Sequence, residues 1–164
     1  MSRFVVFPVA LMMSASAAVA DARSDCFSKN GSAAIQACTM AIQQNPKDAV
    51  SYINRAFEYL ETGDYARSMA DYSKAIELDP GRPDALQGRA WAYLKMGKAD
   101  LGLADVERSL QIKPDDARAL DTRGHINEAL GRKQEAIGDY RRALGMEPRM
   151  QGSRDGLKRL GTTP

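Results

Sequence analysis

Pro46, Pro80, Pro114 and Pro148 stand 34 residues apart. Gly63, Gly97 and Gly131 keep that interval, as do Ala41, Ala75, Ser109 and Ala143, and the column Cys38, Tyr72, Val106 and Tyr140. A period of this length exceeds one helix or strand and falls short of a domain. It is the mark of one supersecondary unit repeated, each copy covering the apolar face of the next.

Each unit divides at its glycine. Tyr65, Met69, Tyr72 and Ile76 fall on one stripe of a helix running from Gly63 to Pro80. Gly63 tolerates the left-handed backbone that ends the preceding helix, and Asp64 offers an acceptor to the free N–H groups of the next. Asp79, before Pro80, is pushed out of the helical region. The pattern predicts helices over 48–62 and 65–78, 82–96 and 99–112, and 116–130 and 133–146. Ala56 with Ser68, Ala90 with Gly102, and Gly124 with Ala136 are the small residues that let paired helices approach closely. Tyr59, Tyr93, Ile76 and Leu110 fill the space between hairpins.

With these residues in place, the chain resembles the tetratricopeptide repeat (TPR) family, whose unit runs W-x2-L-G-x2-Y, then A-x3-F, then P. Tyr52, Tyr59, Tyr72, Ala75 and Pro80 carry the likeness in the first unit. Leu86, Tyr93, Gly97, Val106 and Pro114 carry it in the second, and Leu120, Gly124, Ala136, Tyr140, Ala143 and Pro148 in the third. The resemblance implies an all-α, right-handed TPR solenoid of three full helix-turn-helix repeats over 49–82, 83–116 and 117–150. Residues 21–48 resemble a partial repeat whose first helix is missing or eroded, and residues 151–164 a capping helix and tail. Within the family, the leader-like first residues and the paired cysteines make the chain resemble small exported bacterial TPR proteins.

One column departs from the family. Arg55, Arg89 and Arg123 stand where leucine is usual, and an aspartate follows each by 16 residues: Asp71, Asp105 and Asp139. An antiparallel hairpin brings each pair to one height on facing helices. The expectation is a ladder of structural ion pairs, in preference to an arginine row that binds an anion.

The first twenty residues read as a signal peptide, with Arg3 ahead of an apolar run from Phe4 to Met13 and a small-x-small site at Ala18-Val19-Ala20. Cleavage before Asp21 fits better than an uncleaved anchor. In an exported chain the only two cysteines, Cys26 and Cys38, are expected to form a disulfide. The expected location is the periplasm, or outside the cell where there is none. Without Arg3 the chain holds 22 basic and 21 acidic residues, which argues against nucleic acid as a partner. Residues 141–164 carry six basic and two acidic side chains, an excess read as a solvated helix before a docking site. Asn30-Gly31-Ser32 fits a glycosylation sequon but is better explained as a turn and helix start.

In TPR proteins the first helix of each unit lines a concave face, so the resemblance implies a ligand groove. Its residues are Ile53, Asn54, Phe57, Leu60 and Glu61 in the first unit, and Gln87, Trp91, Leu94 and Lys95 in the second. Arg118, Asp121, Thr122, His125 and Glu128 follow in the third. Phe57, Trp91 and His125 are expected to form one row, and the first two have packing against the next hairpin as their alternative role. A carboxylate clamp is not supported: Ile53, Phe57, Gly88 and Thr122 occupy the corresponding positions and only Arg118 is basic. The sole histidine has neither a nucleophile nor co-ligands at a usable spacing. No enzymatic activity, metal or cofactor is expected. The reading is an adaptor that holds a peptide or protein segment; the alternative is a structural component that assembles through its ends or convex face.

Overall fold

The computed structural model describes residues 22–163, so the expected signal segment lies outside it. The described residues are helical throughout, without strands. Residues 22–28 form α1. It is followed by α2 (Gly31–Gln44), α3 (Ala49–Glu61), α4 (Tyr65–Leu78), α5 (Pro83–Lys95), α6 (Ala99–Ile112), α7 (Ala117–Ala129), α8 (Lys133–Met146) and α9 (Gln151–Arg159). From α3 to α8 every bound falls within one residue of the span the period predicts. None of the described helices is long and apolar enough to cross a membrane.

One backbone device sets the period. Gly63, Gly97 and Gly131 have φ of 80°, 72° and 75°, conformations open to glycine at little cost. Each ends a helix in a Schellman motif, with the next amide bonded five residues back: Asp64 to Tyr59, Lys98 to Tyr93, and Arg132 to Asn127, at 2.8–2.9 Å. Asp64 then caps α4 through Arg67 N at 3.1 Å. Asp48 and Asp116 do the same for α3 and α7. Pro83 begins α5, where its missing N–H costs nothing.

The helices pair as α3 with α4, α5 with α6 and α7 with α8, and each hairpin packs on the next through α4–α5 and α6–α7. The first helices also meet one another, α3 against α5, α5 against α7, and α7 against α9. They form the inner layer of the solenoid. Close approach is visible at the expected pairs: Ser68 Oγ donates to Ala56 O at 2.8 Å, and a Cβ on Gly102 would stand 2.8 Å from Ala90 O. Gly124 serves a different neighbour. Its missing Cβ makes room for the Tyr140 ring, from which a methyl would be 2.5 Å away.

Of the two forms the sequence pattern allows for the N-terminal unit, the structure shows the eroded one. Its first helix is shortened to α1 and is present, not lost; Cys26 on α1 is disulfide-bonded to Cys38 on α2, with Cα atoms 4.5 Å apart. Arg23 Nε lies 3.2 Å from Asp48 Oδ2, tying α1 to the start of α3. Asn30 and Gly31, with φ of 61° at the glycine, make the turn into α2, and the Gly31 amide donates to Glu58. At the other end Leu157 of α9 packs with Ala136, Ile137 and Tyr140 of α8, which would otherwise face solvent.

Candidate functional site

The inner layer encloses a cleft of about 480 Å³. Ile53, Asn54, Phe57, Leu60 and Glu61 of α3 form one wall, Asp84, Gln87, Gly88 and Trp91 of α5 the middle, and Arg118, Asp121 and Thr122 of α7 the far side. Tyr72 of α4 supplies floor from the outer layer. Phe57 is 49% exposed, a large apolar side chain left open inside a concave surface. Gln87 Nε2 donates to Thr122 Oγ1 at 2.8 Å, bridging the second and third units across the groove.

Ten of the expected groove positions therefore meet in one cleft. The other four, Leu94, Lys95, His125 and Glu128, lie outside its lining. Leu94 packs into the apolar core around Ala90 and Leu120. Lys95 places its ammonium 4.9 Å from the centre of the Trp91 ring, a cation–π contact at the rim. His125 touches Trp91 edge-on at 5.4 Å but turns toward Tyr140, whose ring is 5.2 Å away. The row of Phe57, Trp91 and His125 thus has two members in the cleft and a third that belongs to the seal with α9.

That seal is polar. Tyr140 donates its hydroxyl hydrogen to Glu128 Oε2 at 2.7 Å and sits 3.0 Å from His125 Nδ1. Arg159 donates to both oxygens of Glu128, at 2.8 and 2.9 Å. Those hydrogen bonds hold Glu128 below the usual carboxylate range. Burial pushes the His125 pKa down, more than Asp121 and Glu128 push it up. Ser153 Oγ of α9 donates to Asp121 at 2.6 Å. Tyr72 and Asp84, which the sequence pattern did not single out as groove residues, are part of the cleft. Asp84 loses hydration on burial, the largest single effect, yet the hydrogen bonds and charge of Arg82 and the Ala85 amide together outweigh it and hold the carboxyl below its ordinary value.

The arginine column lies away from the cleft, between the layers. Arg55 Nε and Nη2 grip Asp71 at 2.7 and 2.8 Å, Arg89 grips Asp105 at the same two distances, and Arg123 grips Asp139 at 2.9 and 2.6 Å. Each guanidinium pKa is raised by those bonds. The third nitrogen reaches backwards: Arg55 Nη1 donates to Thr39 at 3.0 Å and Arg89 Nη1 to Ser73 at 3.1 Å. Thr39, Ser73 and Glu107 form another column of the 34-residue period, 16 residues before each arginine. The ladder therefore joins successive hairpins as well as the two helices of each, and its backward half was readable in that spacing. Two nitrogens of every guanidinium are spent on its aspartate, in keeping with a structural role, while Arg123 Nη1 has no such backward partner among the described residues.

Among the described residues no three His, Cys, Asp or Glu side chains converge to hold a metal ion. A nucleophile poised against a base is not found at the cleft either: His125 is engaged with Tyr140.

Family models described as tetratricopeptide repeat match residues 37–70, 59–126 and 117–150. The chain is 39% identical over 54 residues to the Protein SGT1 homolog of Bos taurus, across 33% of this chain and 16% of that protein. It therefore spans only about a sixth of that relative. Among solved structures, the first TPR domain of human RPAP3 is similar at 26% identity and a TM-score of 0.67, over 71% of this chain and 92% of that one. The first TPR of Spaghetti (RPAP3) bound to the HSP90 peptide SRMEEVD gives 25% identity and a TM-score of 0.66, over 70% and 91%. Residues 37–150 are built of tetratricopeptide repeats, and the described chain folds as an all-α TPR solenoid.

Proposed function

We propose that the protein is a non-enzymatic adaptor whose groove holds a peptide or a helical segment of a partner protein. The observation that carries this reading is the cleft itself: three successive inner helices present half-exposed Phe57 beside Trp91, in a concavity the array does not fill with its own side chains. Aromatic residues in a recess suit a binding hot spot, because an occupant removes large areas from water there. The similar RPAP3 domain carries a peptide, which supports the same use of the concave face here.

The test is a pull-down from the native source with the wild-type chain and a Phe57→Ala/Trp91→Ala variant. A groove adaptor loses its partner in the variant while the helical circular dichroism stays. A partner retained by the variant at full strength overturns the reading and favours assembly through the ends or convex face.

We further propose that the chain is exported after removal of residues 1–20. The apolar segment before Ala18-Val19-Ala20 and the Cys26–Cys38 disulfide support this. N-terminal sequencing of the native protein is expected to begin at Asp21; a start at Met1 or Ser2 rejects cleavage.

A further inference from the structure

Tyr72 and Tyr140 occupy the same column, two periods apart, and their rings sit in matching recesses left by Gly88 and Gly156. Their hydroxyls meet different surroundings. Tyr140 is satisfied by Glu128 and lies against His125. Two periods earlier those positions are Leu60 and Phe57, which offer neither donor nor acceptor. Tyr72 is only 3% exposed, lines the cleft, and has no hydrogen-bond partner among the described residues. Its hydroxyl is not sealed off, so it opens onto the groove. A buried polar group with one open side is completed by whatever fills that side.

The charges around the opening are uneven. Glu61, Asp84 and Asp121 line the cleft against a single lining cation, Arg118. Arg82 is committed to Asp84 at 2.6 Å. Glu61 makes no ion pair among the described residues, and Asp121 has only Ser153 and the His125 imidazole, at 3.7 Å, beside it. Two carboxylates are thus left without a cationic partner. An acidic tail of the SRMEEVD kind would bring further negative charge to them, whereas a lysine or arginine would be attracted.

Building on the groove reading above, we propose that the occupant is a peptide segment with a lysine or arginine next to an apolar residue, anchored by a hydrogen bond to the Tyr72 hydroxyl. The apolar residue lies on Phe57 and Trp91, the basic one faces Glu61 and Asp121, and a main-chain carbonyl completes Tyr72.

Trp91 is the only tryptophan, so its fluorescence reports occupancy of the cleft directly. The full chain is titrated with the capped heptapeptide Leu-Lys-Phe-Ala-Arg-Leu-Ser, with its counterpart carrying Glu at both basic positions, and with SRMEEVD. The basic peptide is expected to bind about 10-fold more tightly than either acidic one, and Glu61→Gln to narrow that gap. Tyr72→Phe keeps the ring and its packing. It is expected to weaken the basic peptide about 5-fold while leaving the melting midpoint in place. An acidic peptide that binds equally or better overturns the charge preference and leaves the groove reading standing. Unchanged affinity in Tyr72→Phe overturns the anchor. No change in Trp91 fluorescence with any of the three overturns both the proposal and the groove reading beneath it.

Discussion

Arg159 on α9 sets Nε and Nη2 against the two carboxylate oxygens of Glu128 on α7, at 2.8 and 2.9 Å. The last helix is thereby tied to the third unit by charge as well as by the burial of Leu157. Arg159 is 48% exposed, so the pair itself is worth less than about 1 kcal/mol. Arg159→Ala is expected to lower global stability by no more than that. Its effect is local, because a solenoid's end unit frays before its middle. Hydrogen exchange checks this: amides of residues 151–160 lose protection first while α3 to α6 keep theirs. Uniform loss along the chain would contradict it.

The arginine ladder makes a sharper prediction, because truncating one partner strands the other. Asp105→Ala leaves Arg89 with Ser73 alone, its side chain only 22% exposed. The expected cost is about 2–3 kcal/mol, below the full buried-pair penalty because some solvent reaches the site. Replacing both Arg89 and Asp105 by leucine removes the stranded charge and is expected to recover at least half of that loss. Urea unfolding of the single and double variants measures it. A double variant less stable than Asp105→Ala would show that the rung does more than hold helices together.

The helices and the forward half of the ladder were legible because each depends on short spacings: glycine at a turn, an acid 16 residues after an arginine. Three things were less so. The spacing from Thr39 to Arg55 and from Ser73 to Arg89 was present, but a hydroxyl is a weaker sign than a carboxylate. Helix α1 is short and keeps only Ala22 in the small-residue column of Ala56, Ala90 and Gly124, and what holds it is the Cys26–Cys38 bond and the Arg23–Asp48 pair. Tyr72 read as a core residue, which it is. That its hydroxyl reaches the cleft follows from Gly88 on the next hairpin, a contact no pattern within one unit contains. The groove wall was inferable from the family resemblance carried over by register; which of its polar groups are already spoken for was not.

Reducing or removing the disulfide is expected to loosen the N-terminal unit only. The bond spans 12 positions and closes a short loop, so it contributes about 3 kcal/mol at most in the chain-entropy account. Without it, α1 has little beyond Arg23 and the small core of Cys26, Ala37 and Cys38 to hold it. A Cys26→Ser/Cys38→Ser variant is expected to lose amide protection over residues 22–28 and to expose more of α2, while the main unfolding transition of 49–150 moves little. Loss of the whole cooperative transition would show that the array needs this end to fold.

Acid is expected to act on the other end in two steps, and the sign of each follows from the site. His125 is a base whose pKa is lowered in the fold, chiefly by burial; Asp121 and Glu128 oppose that shift, while Arg159 and Lys95 reinforce it. Tyr140 and Trp91 complete its surroundings. The unfolded chain therefore takes up the proton more readily than the folded one. Stability is full above the ordinary value of 6.5 and falls as pH drops through it, levelling once the folded imidazole is also protonated. Glu128 is an acid held low by Arg159, so its share is present above the ordinary 4.5 and is lost as pH falls through the lower folded value. A melting series from pH 8 to 3 should show a decline beginning near 6.5 and a second below 4.5. His125→Gln removes the first and keeps the second, whereas Glu128→Gln shrinks the second, to which Asp84 and Asp116, also held low, still contribute. Because Trp91 meets the imidazole edge-on, its fluorescence in the native state should follow protonation of the folded imidazole, at a pH below 6.5 where the first decline levels. A single decline below pH 4.5 in the wild type would place His125 in water, outside the seal that α7, α8 and α9 build around it.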